Sequence, residues 1–375
     1  MKASAAVCAL AALLFAAGAR AQETIKIGLI QPLTGSVAYN GATDVNGSKL
    51  AVEERNAKGG VLGKPVELVI EDGACQPAKS VNAAEKLIQR DKVVALSGAF
   101  CSSATAAVMP VAENYKIPLV TGVSSNAELT EKGNKWFFRA TETDALLAQS
   151  FAKILFDQLK LRKVAYIGVN DDWGRGGVEQ FEKQMKALGA TTVMKEYFDH
   201  GTTDFYTILT KLRASGADGV FVAAETQDGS IFVKQKAEFG LDLRIFGVGS
   251  WATADFIRLT GEAGEGIYAA VPYAATMTTP KNKAFVQAYE AKYKEMPGKY
   301  GAAGYNALNI LMDAVERAGG TDPAKIRDAL TKTDYEGPNG RFRFDDKGQA
   351  YGFSIVLVQL RKGVPEVVAS TAIEG

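Results

Sequence analysis

The sequence predicts an α/β protein built as two doubly wound lobes. Three observations carry this. Short β-branched runs alternate with helical patterns from residue 24 onward. The alternation breaks at "RATETD", residues 139–144, and then restarts. The rhythm changes again near "IYAAVPYAATM", residues 267–277. Repeated βα units of this kind make parallel sheets with helices on both faces. Eight such strands could also close a single barrel, but a second run that begins afresh after residue 144 favours two lobes.

In the first run, "TIKIGLI", "VELVIED", "KVVALSGAF" and "IPLVTGV" read as strands, being short and rich in Val and Ile. Between them, "NGSKLAVEERNAK", "AKSVNAAEKLIQRD" and "SATAAVMPVAENYK" repeat apolar residues at three- and four-residue steps, the spacing of one helix face. The second run has strands at "KVAYIGVND", "TTVMKEYFD", "DGVFVAAE" and "RIFGVGSW". Helical patterns separate them at "GGVEQFEKQMKALG", "DFYTILTKLRASG" and "GSIFVKQKAEFG". Three helical stretches then occupy residues 280–333, and a β-rich tail, "GRFRFDDKGQAYGFSIVLVQLRKG", follows.

The N-terminal "MKASAAVCALAALLFAAGARAQ" reads as a secretory signal peptide, residues 1–21, cleaved after Ala21. Cys8 stands too early in the apolar run for a lipoprotein cysteine. No later segment approaches the ~20 apolar residues of a spanning helix. The mature chain is therefore expected outside the cytoplasm and in solution. Lys plus Arg (43) nearly equals Asp plus Glu (42), with no block of like charge. That balance favours neither a nucleic acid nor an anionic membrane as partner. Removing the signal peptide leaves two cysteines, Cys75 and Cys101, and in an oxidising compartment such a pair is expected to be bridged.

Signatures of chemistry are scarce. A single histidine, His200, rules out sites that need two, including the usual zinc constellations. In "YFDHGTTDF" it reads as a surface loop residue. "GGVLGKP" is too short for a phosphate loop, "GEAGEG" lacks the dinucleotide spacing, and "CSS" and "GVSS" lack the nucleophile elbow. No metal, no cofactor and no catalytic group are expected. Two strand-to-helix junctions stand out instead: "GAFCSSAT", residues 98–105, and "TGVSSNAELT", residues 121–130. In open α/β sheets ligands sit beyond the carboxyl ends of strands, where helix N-termini present unpaired N–H groups. Two such junctions on neighbouring strands suit a ligand's carboxylate. Taken singly, Ser102 and Ser125 could instead be helix caps.

With "IKIGLIQPLTGSVAYNG", "VEERNAKGGVLGKPVELVIEDGACQP", "GAFCSSAT" and "SSNAELT", the chain resembles the leucine/isoleucine/valine-binding proteins of the bacterial periplasm. The resemblance spans essentially the whole mature chain, including "YIGVNDDWGRGG" and the closing "RFRFDDKGQ". It implies the type I periplasmic binding protein fold and a solute-binding role beside an ABC importer. The partners would be a small-molecule ligand and the membrane permease subunits, with the protein itself a monomer.

Carried over by position, the resemblance implies a disulfide between Cys75 and Cys101. It puts Ser102 and Ser125, with Ser103 and Ser124 beside them, at the carboxylate site. Val123 would offer its carbonyl to an ammonium, and Trp173 would line the pocket from the second lobe. Tyr39 precedes Asn40, which stands where a pocket tyrosine is expected. Glu225 occupies an aromatic position, and Gly249 replaces the glutamate that pairs with an amino acid's ammonium. Glu225, with Asp228 in reserve, is then the candidate partner for that ammonium, unless the ligand is an amine-free aromatic acid or a small amide. A ligand-sensing subunit of the same fold is the other alternative. Lobe 1 is expected to comprise residues 24–143 plus 272–348, and lobe 2 residues 144–271 plus 349–375. The hinges would lie at Thr141–Asp144, Val271–Tyr273 and Gly348–Tyr351. Closure would bring Trp173, Glu225 and Trp251 over the ligand.

Overall fold

In a computed structural model of the chain, which describes residues 23–131 and 133–375, the βα rhythm divides between two sheets. The expected signal peptide, residues 1–21, lies outside the described residues. Strands β1 (Ile25–Gln31), β2 (Val66–Asp72), β3 (Ala95–Ser97), β4 (Leu119–Thr121) and β5 (Phe137–Arg139) pair in parallel in the order β2-β1-β3-β4-β5. Helices α1 (Ala38–Ala57), α2 (Pro77–Gln89), α3 (Ser102–Tyr115) and the short α4 (Glu128–Glu131) connect them.

The chain then leaves this sheet through α5 (Asp144–Leu159). The second sheet contains β6 (Lys163–Val169), β7 (Thr191–Phe198), β8 (Gly219–Ala224), β9 (Arg244–Gly249) and β10 (Tyr268–Val271), which pair in parallel. Helices α6 (Asp172–Ala187), α7 (Tyr206–Ala214), α8 (Thr226–Glu238) and α9 (Ala254–Thr260) join them. β8, "GVFVAA", is buried at all six positions, as a parallel strand covered on both faces should be.

After β10, α10 (Pro280–Tyr293), α11 (Lys299–Ala318) and α12 (Pro323–Leu330) return the chain to the first sheet, where α11 packs along α1. The approach is close enough to require glycine. A Cβ on Gly47 would lie 1.8 Å from the carbonyl oxygen of Gly301, and one on Gly304 would lie 2.3 Å from that of Asp44. This contact seats the first residues of α11 beside the third turn of α1. The tail strands β11 (Tyr335–Gly337), β12 (Gly340–Phe344), β13 (Ala350–Arg361) and β14 (Val364–Ala372) add antiparallel to β10 and complete the nine-stranded sheet. Two sheets exclude the single barrel. No helix among the described residues is long and apolar enough to cross a membrane.

Each sheet reverses its strand order once. The first does so between β1 and β3, the second between β6 and β8. Loops diverge at such switch points and open a crevice at the strands' carboxyl ends. The two crevices face each other. Asn126 on the first side donates from Nδ2 to the Asp172 carbonyl on the second at 2.8 Å, and Thr226 Oγ1 donates to Asn40 Oδ1 at 2.9 Å.

A disulfide joins Cys75 to Cys101, with Cα atoms 5.4 Å apart. It ties the loop after β2 to the loop after β3, on either side of β1. Cross-linking residues separated by 26 positions restricts the unfolded chain by ~3.5 kcal/mol in the loop-entropy account. Reduction should therefore lower the urea midpoint of the mature protein markedly, and thiol labelling of the denatured, unreduced protein should detect no free cysteine.

Candidate functional site

Between the facing crevices lies a cavity of about 340 Å³, lined by Phe100, Cys101, Ser102, Val123, Ser124, Ser125, Asp171, Trp173, His200, Glu225 and Lys299. Every lining residue follows a strand's carboxyl end or opens a helix. Residues 100–102 follow β3 and 123–125 follow β4. Asp171 and Trp173 follow β6, His200 follows β7, Glu225 follows β8, and Lys299 begins α11.

On the first wall, neither candidate serine is a helix cap. The N-cap of α3 is Cys101, so Ser102 is already helical, and its Oγ accepts from the Asn126 N–H at 3.3 Å. The Ser102 N–H is one of the first-turn donors that no helical carbonyl can reach. The Ser125 N–H also meets no acceptor among the described residues. These two amides and the Ser102 hydroxyl are donors free to meet an anion. The other hydroxyls are engaged: Ser124 Oγ donates to the Phe100 carbonyl at 2.8 Å, and Ser125 Oγ donates to Asp144 Oδ1 at 3.1 Å. Burial, reinforced by the nearby Glu142 charge, pushes the Asp144 carboxyl up to about 7. Ser103 lies half-buried on α3, outside the lining.

The second wall presents Trp173, Glu225 and His200. Asp171 caps α6 by accepting from the Gly174 N–H at 2.8 Å, which sets Trp173 in that helix's first turn. Glu225 is the N-cap residue of α8 and is 7% exposed. Its Oε2 accepts from Asn40 Nδ2 at 3.0 Å and from the Tyr300 hydroxyl, both from the opposite side. Its Oε1 accepts no hydrogen bond from the described residues. Burial, then the adjacent Glu225 charge, raises the Tyr300 phenol well above its usual range, so it stays a donor.

Two further expected pocket residues lie elsewhere. Trp251 is completely buried and stacks on Phe256 with centroids 4.9 Å apart. Its Nε1 donates to the Ala224 carbonyl at 2.8 Å, so it supports the Glu225 strand from behind. Tyr39 is 42% exposed and donates to Glu295 Oε2 at 3.2 Å, in a separate cleft with Asp255 and Arg258. Asp228 does not reach the cavity either. It accepts from the Gly201 N–H at 3.1 Å and faces His200.

His200 is not the free surface residue that its loop setting suggested. Its Nε2 lies 2.9 Å from Asp171 Oδ2 and its Nδ1 lies 3.8 Å from Asp228 Oδ2. Burial alone favours neutral imidazole, but the hydrogen bond to Asp171 and the charges of both aspartates outweigh it and raise the ring to about 10. The resulting imidazolium links the start of α6 to the first turn of α8. Lys299 and Tyr300 also escaped sequence reasoning, because the α1–α11 contact that brings them to the site joins segments some 250 residues apart.

The His200 arrangement fixes a pH dependence. A group whose folded value is raised contributes stability in full below its unfolded value and loses it as pH rises through the folded one. The His200 contribution should thus be complete below about 6.5 and vanish toward about 10. Urea unfolding of wild type and His200→Gln at pH 6, 8 and 10 should show a gap that narrows with pH. A constant gap rejects the imidazolium.

The family model for periplasmic binding proteins matches residues 24–364 of the chain. The leucine-, isoleucine-, valine-, threonine- and alanine-binding protein of Pseudomonas aeruginosa is 30% identical over 348 residues, 93% of each chain. The Leu/Ile/Val-binding protein of Escherichia coli is 27% identical over 331 residues, 88% of this chain and 89% of its own. Among solved structures, a branched-chain amino acid transporter substrate-binding protein from Streptococcus pneumoniae, in complex with isoleucine, superposes with a TM-score of 0.86 at 29% identity. That match covers 94% of this chain and 100% of the other. A solute-binding protein of an ABC transporter from R. palustris, in complex with 4-hydroxybenzoate, gives 0.85 at 25% identity, covering 94% and 98%. A family model that runs through both sheets and past every residue of the cavity leaves one assignment: the chain belongs to the periplasmic binding protein family.

Proposed function

We propose that this protein captures one small carboxylated solute, an α-amino acid, in the periplasm and delivers it to the membrane permease subunits of an ABC importer. It works as a monomer, by binding without turnover. The observation that carries the ligand class is Glu225. A carboxylate removed from water needs a cationic or hydrogen-bonded partner, and one of its oxygens faces the cavity unsatisfied. An ammonium there, with its carboxylate on the Ser102 and Ser125 donors, satisfies both walls at once. The P. aeruginosa protein is named for leucine, isoleucine, valine, threonine and alanine, and the S. pneumoniae protein was solved with isoleucine; similarity to both supports the same class.

In this reading residues 24–143 plus 272–348 form one lobe and residues 144–271 plus 349–375 the other, turning about the crossings at 141–144, 271–273 and 348–351. Ligand stabilises the closed arrangement, because Glu225 then joins the solute to Asn40 and Tyr300. A permease distinguishes loaded from empty protein by that difference.

One observation favours a second reading. Trp173 and Phe100 give the cavity two aromatic walls, and the R. palustris protein at 25% identity was solved with 4-hydroxybenzoate. An amine-free aromatic acid would leave Glu225 facing the ligand without a cation.

The two readings separate in one experiment. In a thermal-shift screen of amino acids and aromatic acids, a true ligand at 100 times its dissociation constant stabilises by ~2.7 kcal/mol. Glu225→Gln, which keeps shape and removes charge, should weaken amino acid binding by ~2–5 kcal/mol in calorimetry. Unchanged amino acid affinity in that variant rejects the role of Glu225. Aromatic acid hits without any amino acid hit establish the second reading.

A further inference from the structure

The wall opposite Glu225 contains a cation that neither the sequence motifs nor the serine cradle accounts for. Lys299 is part-buried and lines the ligand cavity. It also lines an adjoining cavity of about 330 Å³, together with Val123, Thr141, Glu142 and Tyr273. Its ammonium lies 4.8 Å from the centroid of the Tyr300 ring. No carboxylate among the described residues comes within ion-pairing distance of it. The acidic groups on its side are Glu142, which shares the adjoining cavity, and the buried Asp144, on which Lys299 acts through space. Neither pairs with it.

The other cations near the cavity have partners. His200 lies between Asp171 and Asp228, and Arg139 is enclosed by carbonyl and hydroxyl oxygens. Glu225 receives only neutral donors, Asn40 and Tyr300. Among the ionisable groups that line the ligand cavity, Asp171, His200, Glu225 and Lys299, only Glu225 and Lys299 have no oppositely charged partner among the described residues. A helix N-terminus is also an unfavourable place for a lysine unless an anion joins it, and Lys299 is the first residue of α11.

We propose that Lys299 is a further binding residue, forming an ion pair with the solute's α-carboxylate while the Ser102 and Ser125 donors orient that group. Lys299 and Glu225 together make the cavity complementary to a zwitterion. The assignment rests on the amino acid reading above and adds a charged contact to its neutral cradle. Tyr300 couples the two ends: its hydroxyl holds Glu225, and its ring lies under the Lys299 ammonium.

The test is calorimetry with two probes on full-length mature protein. One is the L-amino acid that most raises the wild-type melting temperature; the other is the carboxamide of that amino acid. Lys299→Met should weaken the amino acid by roughly ten- to a hundredfold, the loss of a charge-assisted hydrogen bond. It should leave the carboxamide, which binds more weakly to begin with, nearly unchanged. Lys299→Arg should recover part of the loss. Equal weakening of both probes, or wild-type affinity in the Met variant, overturns the ion pair while leaving the amino acid reading intact. Wild-type protein that no amino acid stabilises overturns that reading, and the Lys299 assignment with it. Should Lys299→Met fail to fold, Lys299→Gln carries the same comparison.

Discussion

A guanidinium with no exposed surface holds the first wall of the site in place. Arg139, the last residue of β5, is wholly buried. Taking a cation out of water costs several kcal/mol unless good hydrogen bonds surround it. Here they come from the binding loop itself. The guanidinium donates to the Asn126 carbonyl and to Thr130 Oγ1, and approaches the Ser124 and Ala127 carbonyls at 3.5 Å. Its Nε donates to Gln349 Oε1 at 2.6 Å, and Gln349 Nε2 donates to the Thr141 carbonyl at 2.8 Å. Burial lowers the arginine to about 10, with Asp144 and Glu142 opposing that shift, so it remains charged at neutral pH. One side chain thus fastens the 124–130 loop to the Thr141 segment, where the chain leaves the first sheet, and to the turn between β12 and β13.

The second wall relies on a different device. Glu225 lines the cavity; its Oε2 is shared by two donors from the opposite side, while its Oε1 has no hydrogen-bond partner among the described residues. In the proposed capture, a ligand donor on Oε1 and the two donors on Oε2 would act on the same carboxylate, coupling ligand binding to the approach of the walls through one group. Because the coupling passes through a single residue, a change in ligand chemistry at Oε1 alters the free energy of closure as well as that of contact.

The features legible in the sequence were those with local causes. Strand-to-helix rhythm, the cysteine pair and the serine-bearing junctions after β3 and β4 all reflect short-range pattern or composition. What escaped was long-range. His200 reads as a loop histidine because its two aspartates lie 29 and 28 residues away, one on each side, and meet only when β6, β7 and β8 align their carboxyl ends. Lys299 and Tyr300 lie inside a helical stretch whose apolar spacing gives no sign that its first turn enters a ligand cavity. Trp251 misled for the opposite reason. It follows a strand end, as pocket residues do, but Gly247 and Gly229 leave room for its indole: a Cβ on either would come within 3 Å of it. The ring turns inward instead.

Trp173 and Gly249 explain why the acidic group stands at residue 225. The resemblance to leucine/isoleucine/valine-binding proteins implies a glutamate where this chain has Gly249. In the structure the Trp173 indole occupies that corner. A Cβ on Gly249 would lie 3.1 Å from Trp173 Cη2 and 3.1 Å from the Ala224 carbonyl oxygen, at a backbone φ of +92° that side-chain-bearing residues rarely adopt. A glutamate at 249 would therefore crowd the Trp173 indole and strain the backbone. Gly249 pairs with Ala224 across the β8–β9 ladder, so Glu225, the next residue along β8, brings a carboxylate to the same end of the sheet from the neighbouring strand. The displaced position also lies within reach of Asn40 and Tyr300, where a tyrosine at residue 40 would have left no amide to hold it. Gly249 thus leaves room for Trp173, and Asn40 supplies a donor to Glu225.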